Sequence, residues 1–122
     1  MPKDNLRFGR EGESRAADLL AARGYQILEK NYKARIGEID IIARDGKTVC
    51  FVEVKSRSGN RFGLPQEAVS KSKQRQIART ALMFLKENGL LDSFVRFDVV
   101  AVMRCEDKWK LELIKNAFDL TQ

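Results

Sequence analysis

Residues 38–55 read EIDIIARDGKTVCFVEVK, and this stretch decides the fold. Two β-rich runs, 38–44 and 47–55, flank Asp45-Gly46, and Asp-Gly between such runs is a strong hairpin signal. With Asp45-Gly46 as a two-residue turn, Arg44 pairs with Lys47, Ile42 with Val49, Asp40 with Phe51 and Glu38 with Glu53. Side chains alternate along a strand, and directly opposed residues share a face. Asp40, Glu53 and Lys55 are therefore expected on one face, with Glu38 beside them. The run VCFVEV (49–54) is otherwise apolar on both faces and reads as a buried central strand. Acids opposed on neighbouring strands repel each other unless a cation lies near them.

Outward from the hairpin, residues 10–23 read as a helix ended by Gly24, 25–30 as a strand and Asn31–Gly37 as a polar connection. After it come the loop SRSGNRFGLP (56–65) and a long helix from about Gln66 to Asn88, ended by Gly89. Strands at 94–103 and 109–114 complete the chain. The order α-β-β-β-α-β-β predicts an α/β or α+β fold, a mixed sheet flanked by helices. The 122 residues suit a single domain with one core, spanning 1–122.

No apolar run approaches the ~18 residues of a membrane span, and the start, MPKDNLRFGREGE, has no apolar segment of a secretion signal. A cytoplasmic, non-membrane protein is expected. Cys50 and Cys105 stand far apart among apolar neighbours and read as buried free thiols, which suits a reducing compartment. Histidine is absent, which removes Ser-His-Asp and Cys-His triads and nearly all zinc sites. Two cysteines cannot hold a zinc or iron–sulfur cluster. No G-x-x-x-x-G-K-[ST] loop is present. Chemistry falls to carboxylates, lysines, arginines and hydroxyls, a set that favours magnesium or manganese.

The net charge of +6 is unevenly spread. Segment 54–86 holds Lys55, Arg57, Arg61, Lys71, Lys73, Arg75, Arg79 and Lys86 against Glu67 alone, a net of +7 that leaves −1 for the rest. Such clustering fits a polyanionic partner, although a solvated helix face gives the same pattern.

Glu13 is out of place for a surface residue. With Ala16, Ala17 and Leu20 it stands at i, i+3, i+4 and i+7, on the apolar stripe of the first helix. Glu11 points to the other side, beside Arg15 and Asp18. A carboxylate on a buried stripe costs several kcal/mol unless it is paired, protonated or bound to a metal. A salt bridge near the helix start would explain Glu13 alone, and a buried ion pair would explain Glu53 with Lys55. Four ionisable groups converging on one face exceed one pair. The functional reading is a metal site in which Asp40 and Glu53 hold magnesium or manganese, with a backbone carbonyl near Val54. Lys55 orients or deprotonates the attacking water and offsets phosphate charge, and Glu13 completes the outer shell.

In the long helix Val69, Lys73, Ile77, Ala81 and Phe84 share one stripe, so Lys73 lies on the inward side. It either reaches a bound phosphate or snorkels from the stripe's edge. Arg57 and Arg61 are candidates to hold a nucleic-acid backbone, whereas Arg75, Arg79 and Lys86 read as a solvated face. Asp98, among valines, either extends the acidic site or pairs with Arg96 or Lys115. Glu38 is open between a ligand, a repelled neighbour and a partner of Lys55.

The ordered set of a helix glutamate (Glu13), an aspartate ending G-E-I-D (Asp40) and E-x-K (Glu53-Val54-Lys55) resembles the PD-(D/E)XK nuclease superfamily, with Ile39 in place of its proline. Over nearly the whole chain, GREGESRAADLLAARGYQILEKNYKARIGEIDIIARDG, FVEVKSRS and AVSKSKQRQIARTAL resemble the YraN-type family of small bacterial endonuclease-like proteins. The order of elements is also similar to archaeal Holliday junction resolvases, where a helix glutamate likewise lies eleven residues before a glycine. These resemblances imply a restriction-endonuclease-like fold and a metal-dependent nuclease acting on DNA, with branched DNA as a substrate and a homodimer as its state. The alternative is a non-catalytic nucleic-acid-binding protein on a nuclease-like fold. A subunit docking an acidic partner through its basic helix ranks third.

Overall fold

The computed structural model describes residues 2–58 and 69–118, with side chains from Phe8 onward except those of Arg57 and Ser58. Its elements are α1 (Pro2–Ala22), β1 (Gln26–Ala34), β2 (Gly37–Asp45), β3 (Thr48–Ser58), α2 (Lys71–Glu87), β4 (Phe94–Cys105) and β5 (Lys108–Ile114). This is the expected order. The strands form one mixed sheet in the order β1-β2-β3-β4-β5. All neighbours are antiparallel except β3 and β4, which run parallel. Parallel neighbours need a crossover, and the segment carrying α2 supplies it.

The strand alternation of apolar residues builds a core on each side of the sheet. On one side Val49, Phe51 and Val99 meet Ile77, Ala81, Phe84 and Leu85 of α2. On the other, Cys50, Val52, Val100 and Val102 meet Ala16, Ala17 and Leu20 of α1. Both helices close at the glycines expected to end them. Tyr25 N donates to Leu20 O and Gly24 N to Ala21 O, and Leu90 N to Leu85 O and Gly89 N to Lys86 O, the paired bonds of a Schellman motif. Ser70 caps the start of α2, its Oγ accepting from Lys73 N at 3.1 Å. Trp109 of β5 lies against α1, with the Arg15 guanidinium 4.3 Å from its ring centre and the Phe8 ring 5.5 Å away.

Four sequence expectations need adjustment. The helix expected from residue 10 begins at Pro2, and the long helix expected from about Gln66 is described from Lys71. The polar stretch after residue 30 is not a connection, because β1 continues to Ala34. As an edge strand, β1 leaves alternate side chains in water, so its polarity hides it. The hairpin register differs by two residues: Asp45 pairs with Thr48, Arg44 with Val49 and Ile42 with Phe51. Gly46 (φ 62°) is therefore first in the turn, not second. The cause is tertiary, since Asp45 is held at its strand position by Arg96 of β4 at 2.9 Å. A shift of two, unlike a shift of one, leaves every side chain on its face.

Arg96 also settles Asp98. That carboxylate is fully buried and accepts from Arg96 Nε (2.9 Å), Tyr25 Oη (3.1 Å) and Asn116 N (2.9 Å). Asp98 thus belongs to a satisfied structural network and pairs with Arg96 rather than extending the acidic site.

Candidate functional site

The β2–β3 ladder pairs as far as Ile41 and Val52. Just beyond, side chains replace the ladder bond. Asp40 Oδ2 accepts from Val54 N at 2.8 Å, and the Asp40 N–H in turn favours the ionised form of Glu53. The strict alternation of β2 breaks here too, for Ile39 joins the core under α2 while Ile41 joins the core under α1. Asp40 is therefore turned along the sheet toward β3. It is tied to Val54 and Glu53 by backbone hydrogen bonds, and the expected pairing of Asp40 with Phe51 does not occur, since Phe51 pairs with Ile42.

Glu53 lies on the α2 side of β3, and its side chain is only 6% exposed. Its Oε1 stands 3.9 Å from Lys73 Nζ. Its Oε2 is buried and has no hydrogen-bond partner among the described residues. A buried carboxylate oxygen without a donor costs free energy in this state. Burial, and then the charge of Asp40, push the Glu53 carboxyl up to about 7, against the opposing pull of Lys73, the Asp40 N–H and Lys55. Asp40 is raised as well, chiefly by burial, while its Val54 hydrogen bond and the charges of Lys73 and Lys55 hold it back.

Glu13 enters from α1. A Cβ at Gly12 would stand 2.5 Å from Ser56 Oγ, so a residue without a side chain lets the helix lie this close to β3. Glu13 is half-buried, and its carboxyl is raised by burial first and then by Asp40 and Glu38, with a hydrogen bond from Asn31 and the charge of Lys30 working the other way. Glu11 pairs with Arg15 at 3.2 Å on the outer side, as its spacing requires.

Glu13, Asp40, Glu53, Lys55 and Lys73 thus fall within one electrostatic neighbourhood, joined by Glu38. Arg61 lies outside the described residues, and so does the side chain of Arg57. Sequence reasoning missed Asn31. Its signal was its residue type, because Asn31 sits at φ 54° within a strand, a left-handed conformation that asparagine tolerates better than most.

The site residues fit a cation. Two raised carboxylates lie together, and one has an oxygen without a donor among the described residues. Among the described residues no group of three or more His, Cys, Asp or Glu is gathered tightly enough to hold a metal alone. Magnesium does not require one, since it keeps several waters and uses one or two carboxylates together with substrate phosphate.

Comparison with known proteins places the chain. Residues 12–102 match the model of the uncharacterised protein family UPF0102. A UPF0102 protein of Syntrophus aciditrophicus (strain SB) is 53% identical over 116 residues, which covers 95% of this chain and 91% of the relative. One from Geobacter metallireducens is 47% identical over 120 residues, covering 98% of each chain. One from Geotalea uraniireducens (strain Rf4) is 48% identical over 118 residues, covering 96% of this chain and 93% of the relative. The matched span runs from Gly12, beside Glu13, through Asp40, Glu53 and Lys55 to the end of the buried run of β4, and this chain belongs to the UPF0102, or YraN-type, family.

Proposed function

We propose that this protein is a metal-dependent nuclease that hydrolyses phosphodiester bonds of DNA. The observation that carries the reading is Glu53 Oε2, without a donor among the described residues and buried beside Asp40 in a site where both carboxyls are raised. Fold stability alone gives no reason to keep such an oxygen, whereas a divalent cation satisfies it. Asp40 and Glu53 would hold magnesium or manganese, which supplies Lewis-acid charge at the phosphate when bound.

The remaining roles belong to the chain's own side chains. Lys55, two residues along the same face of β3, orients the attacking water and takes or shares its proton. Lys73, 35% exposed, meets solvent and Glu53 at once, so it can neutralise phosphate charge without leaving the carboxylate. Glu13, hydrogen-bonded by Asn31 and raised in part by Asp40, completes the outer shell. The resemblance to junction resolvases makes branched DNA the first substrate to try and a dimer the state to look for.

The test is cleavage of labelled duplex, single-stranded, forked and four-way-junction DNA with magnesium, manganese or chelator, by the parent protein and by Glu53→Ala and Lys55→Ala. Metal-dependent cutting that both variants lose is the expected result. Cutting that persists in chelator would overturn the metal role. Salt-sensitive binding without cutting under any metal would instead make this a nucleic-acid-binding protein on a nuclease-like fold.

A further inference from the structure

The turn between β1 and β2 is clamped to α2. Gln76 Nε2 donates to Ile36 O at 2.7 Å. Gly37, which follows, has no room for a side chain: a Cβ would stand 2.9 Å from both Gln76 Cγ and Thr80 Oγ1. Thr80 is itself fully buried and donates to Gln76 O at 2.8 Å, so the helix side of this contact is fixed. A turn that reads in the sequence as a polar connection is held rigidly against a helix.

Between the turn and the first turns of α2 lies an open cleft of about 370 Å³, whose charged and polar lining is Lys33, Arg35, Glu38, Lys73 and Gln76. Three cations thus face one carboxylate. Lys33 and Arg35 are exposed and form no ion pair with any described residue, although Lys33 stands opposite Glu38 in the ladder. The first turn of α2 adds Lys71 to the excess and holds no acid. Cations at the positive end of a helix are unfavourable until an anion arrives. Lys73 lines this cleft and also stands 3.9 Å from Glu53, so one side chain serves both the cleft and the carboxylate site.

We propose that this cleft binds a backbone phosphate of the nucleic acid, adjacent to the phosphate presented to Asp40 and Glu53, with Lys33 and Arg35 as its ligands and Lys73 shared between the two. The identity of the polymer rests on the nuclease reading; the anion site itself does not. A site preorganised by the Gln76 clamp holds the strand in place for the chemistry next door, and its charges contribute to transition-state and ground-state binding alike.

The experiment is fluorescence anisotropy of a short labelled duplex, as DNA and as RNA, over a salt series in chelator, so that binding is read without cleavage. The Lys33→Ala/Arg35→Ala double variant is compared with Lys108→Ala/Lys110→Ala, an equal charge loss on β5 at the opposite edge of the sheet. Loss of one phosphate contact should weaken binding roughly tenfold and lower the slope of log affinity against log salt by about one, with the β5 pair leaving the slope unchanged. The swap Lys33→Arg/Arg35→Lys should restore both. If the cleft variant binds as the parent does, or if the two doubles lose affinity equally, the cleft is not a phosphate site, whether or not the parent cuts DNA. If the cleft variant loses binding in a protein that cuts nothing under any metal, the cleft stands and the nuclease falls. A loss confined to the DNA or the RNA arm identifies the polymer.

Discussion

The Lys73 ammonium stands 3.9 Å from Glu53 Oε1, while Oε2 of the same buried carboxylate meets no donor among the described residues. The lysine half-compensates the acid. Full pairing would describe a structural ion pair of the kind Arg96 makes with Asp98. Half pairing leaves a place for a second positive charge.

The titration of Glu53 gives the first prediction. Its folded carboxyl is raised to about 7 from an ordinary 4.5. Its contribution to stability is therefore full below pH 4.5 and is lost as the pH rises through about 7. The shift sets an upper bound of roughly 3 kcal/mol. In metal-free buffer, Glu53→Gln should be more stable than the parent at pH 8, by about 1–3 kcal/mol, and no more stable at pH 5. Urea unfolding at both pH values checks this.

Added magnesium or manganese should do for the parent what protonation does. A ligand at ten times its dissociation constant stabilises the folded state by about 1.4 kcal/mol. Thermal unfolding should show a rise of a few degrees in the parent and none in Asp40→Ala or Glu53→Gln. A rise of equal size in all three would place the cation elsewhere.

The two lysines should separate kinetically. Lys55→Ala should lower kcat about 100-fold or more with KM little changed, as loss of a group that acts in the transition state does. Lys73→Ala removes one of the charges that hold the Glu53 carboxyl down. Its acid limb in the pH–rate profile should move to higher pH, and its KM should rise.

Arg96→Met tests the structural network. It leaves the fully buried Asp98 with Tyr25 and Asn116 but no counter-charge, and leaves Asp45 with Lys115 alone. A loss of about 3–5 kcal/mol is expected, read by denaturant unfolding. At low temperature, metal-dependent cleavage should persist in the fraction that remains folded.

Much of the site was legible because it violates the rules of burial. Glu13 on an apolar stripe and Glu53 in VCFVEV are visible without coordinates, and Lys73 shares a stripe with Ile77 and Phe84. The hairpin register was not legible, since its turn is set by Arg96, contacting Asp45 across 51 residues of chain. Local turn preference cannot anticipate a partner that far away. The register error by itself moved no side chain to the other face because strand periodicity is two, whereas the break of alternation beside Asp40 had no signal in the sequence. The β1–β2 turn was invisible for a related reason. Lys33 and Arg35 look like ordinary surface residues until Gln76 and Gly37 fix the turn on α2.

Trp109, the chain's single tryptophan, sits where β5 meets the helix that carries Glu13. Its indole meets Arg15 and Phe8, both on α1, and Arg104 of β4 stands farther off at 5.6 Å. Emission from that one fluorophore therefore gauges the docking of α1, with no label attached. A red shift on adding substrate would mean that the helix lifts and takes Glu13 with it; a constant spectrum would mean that Glu13 waits in place for the reaction.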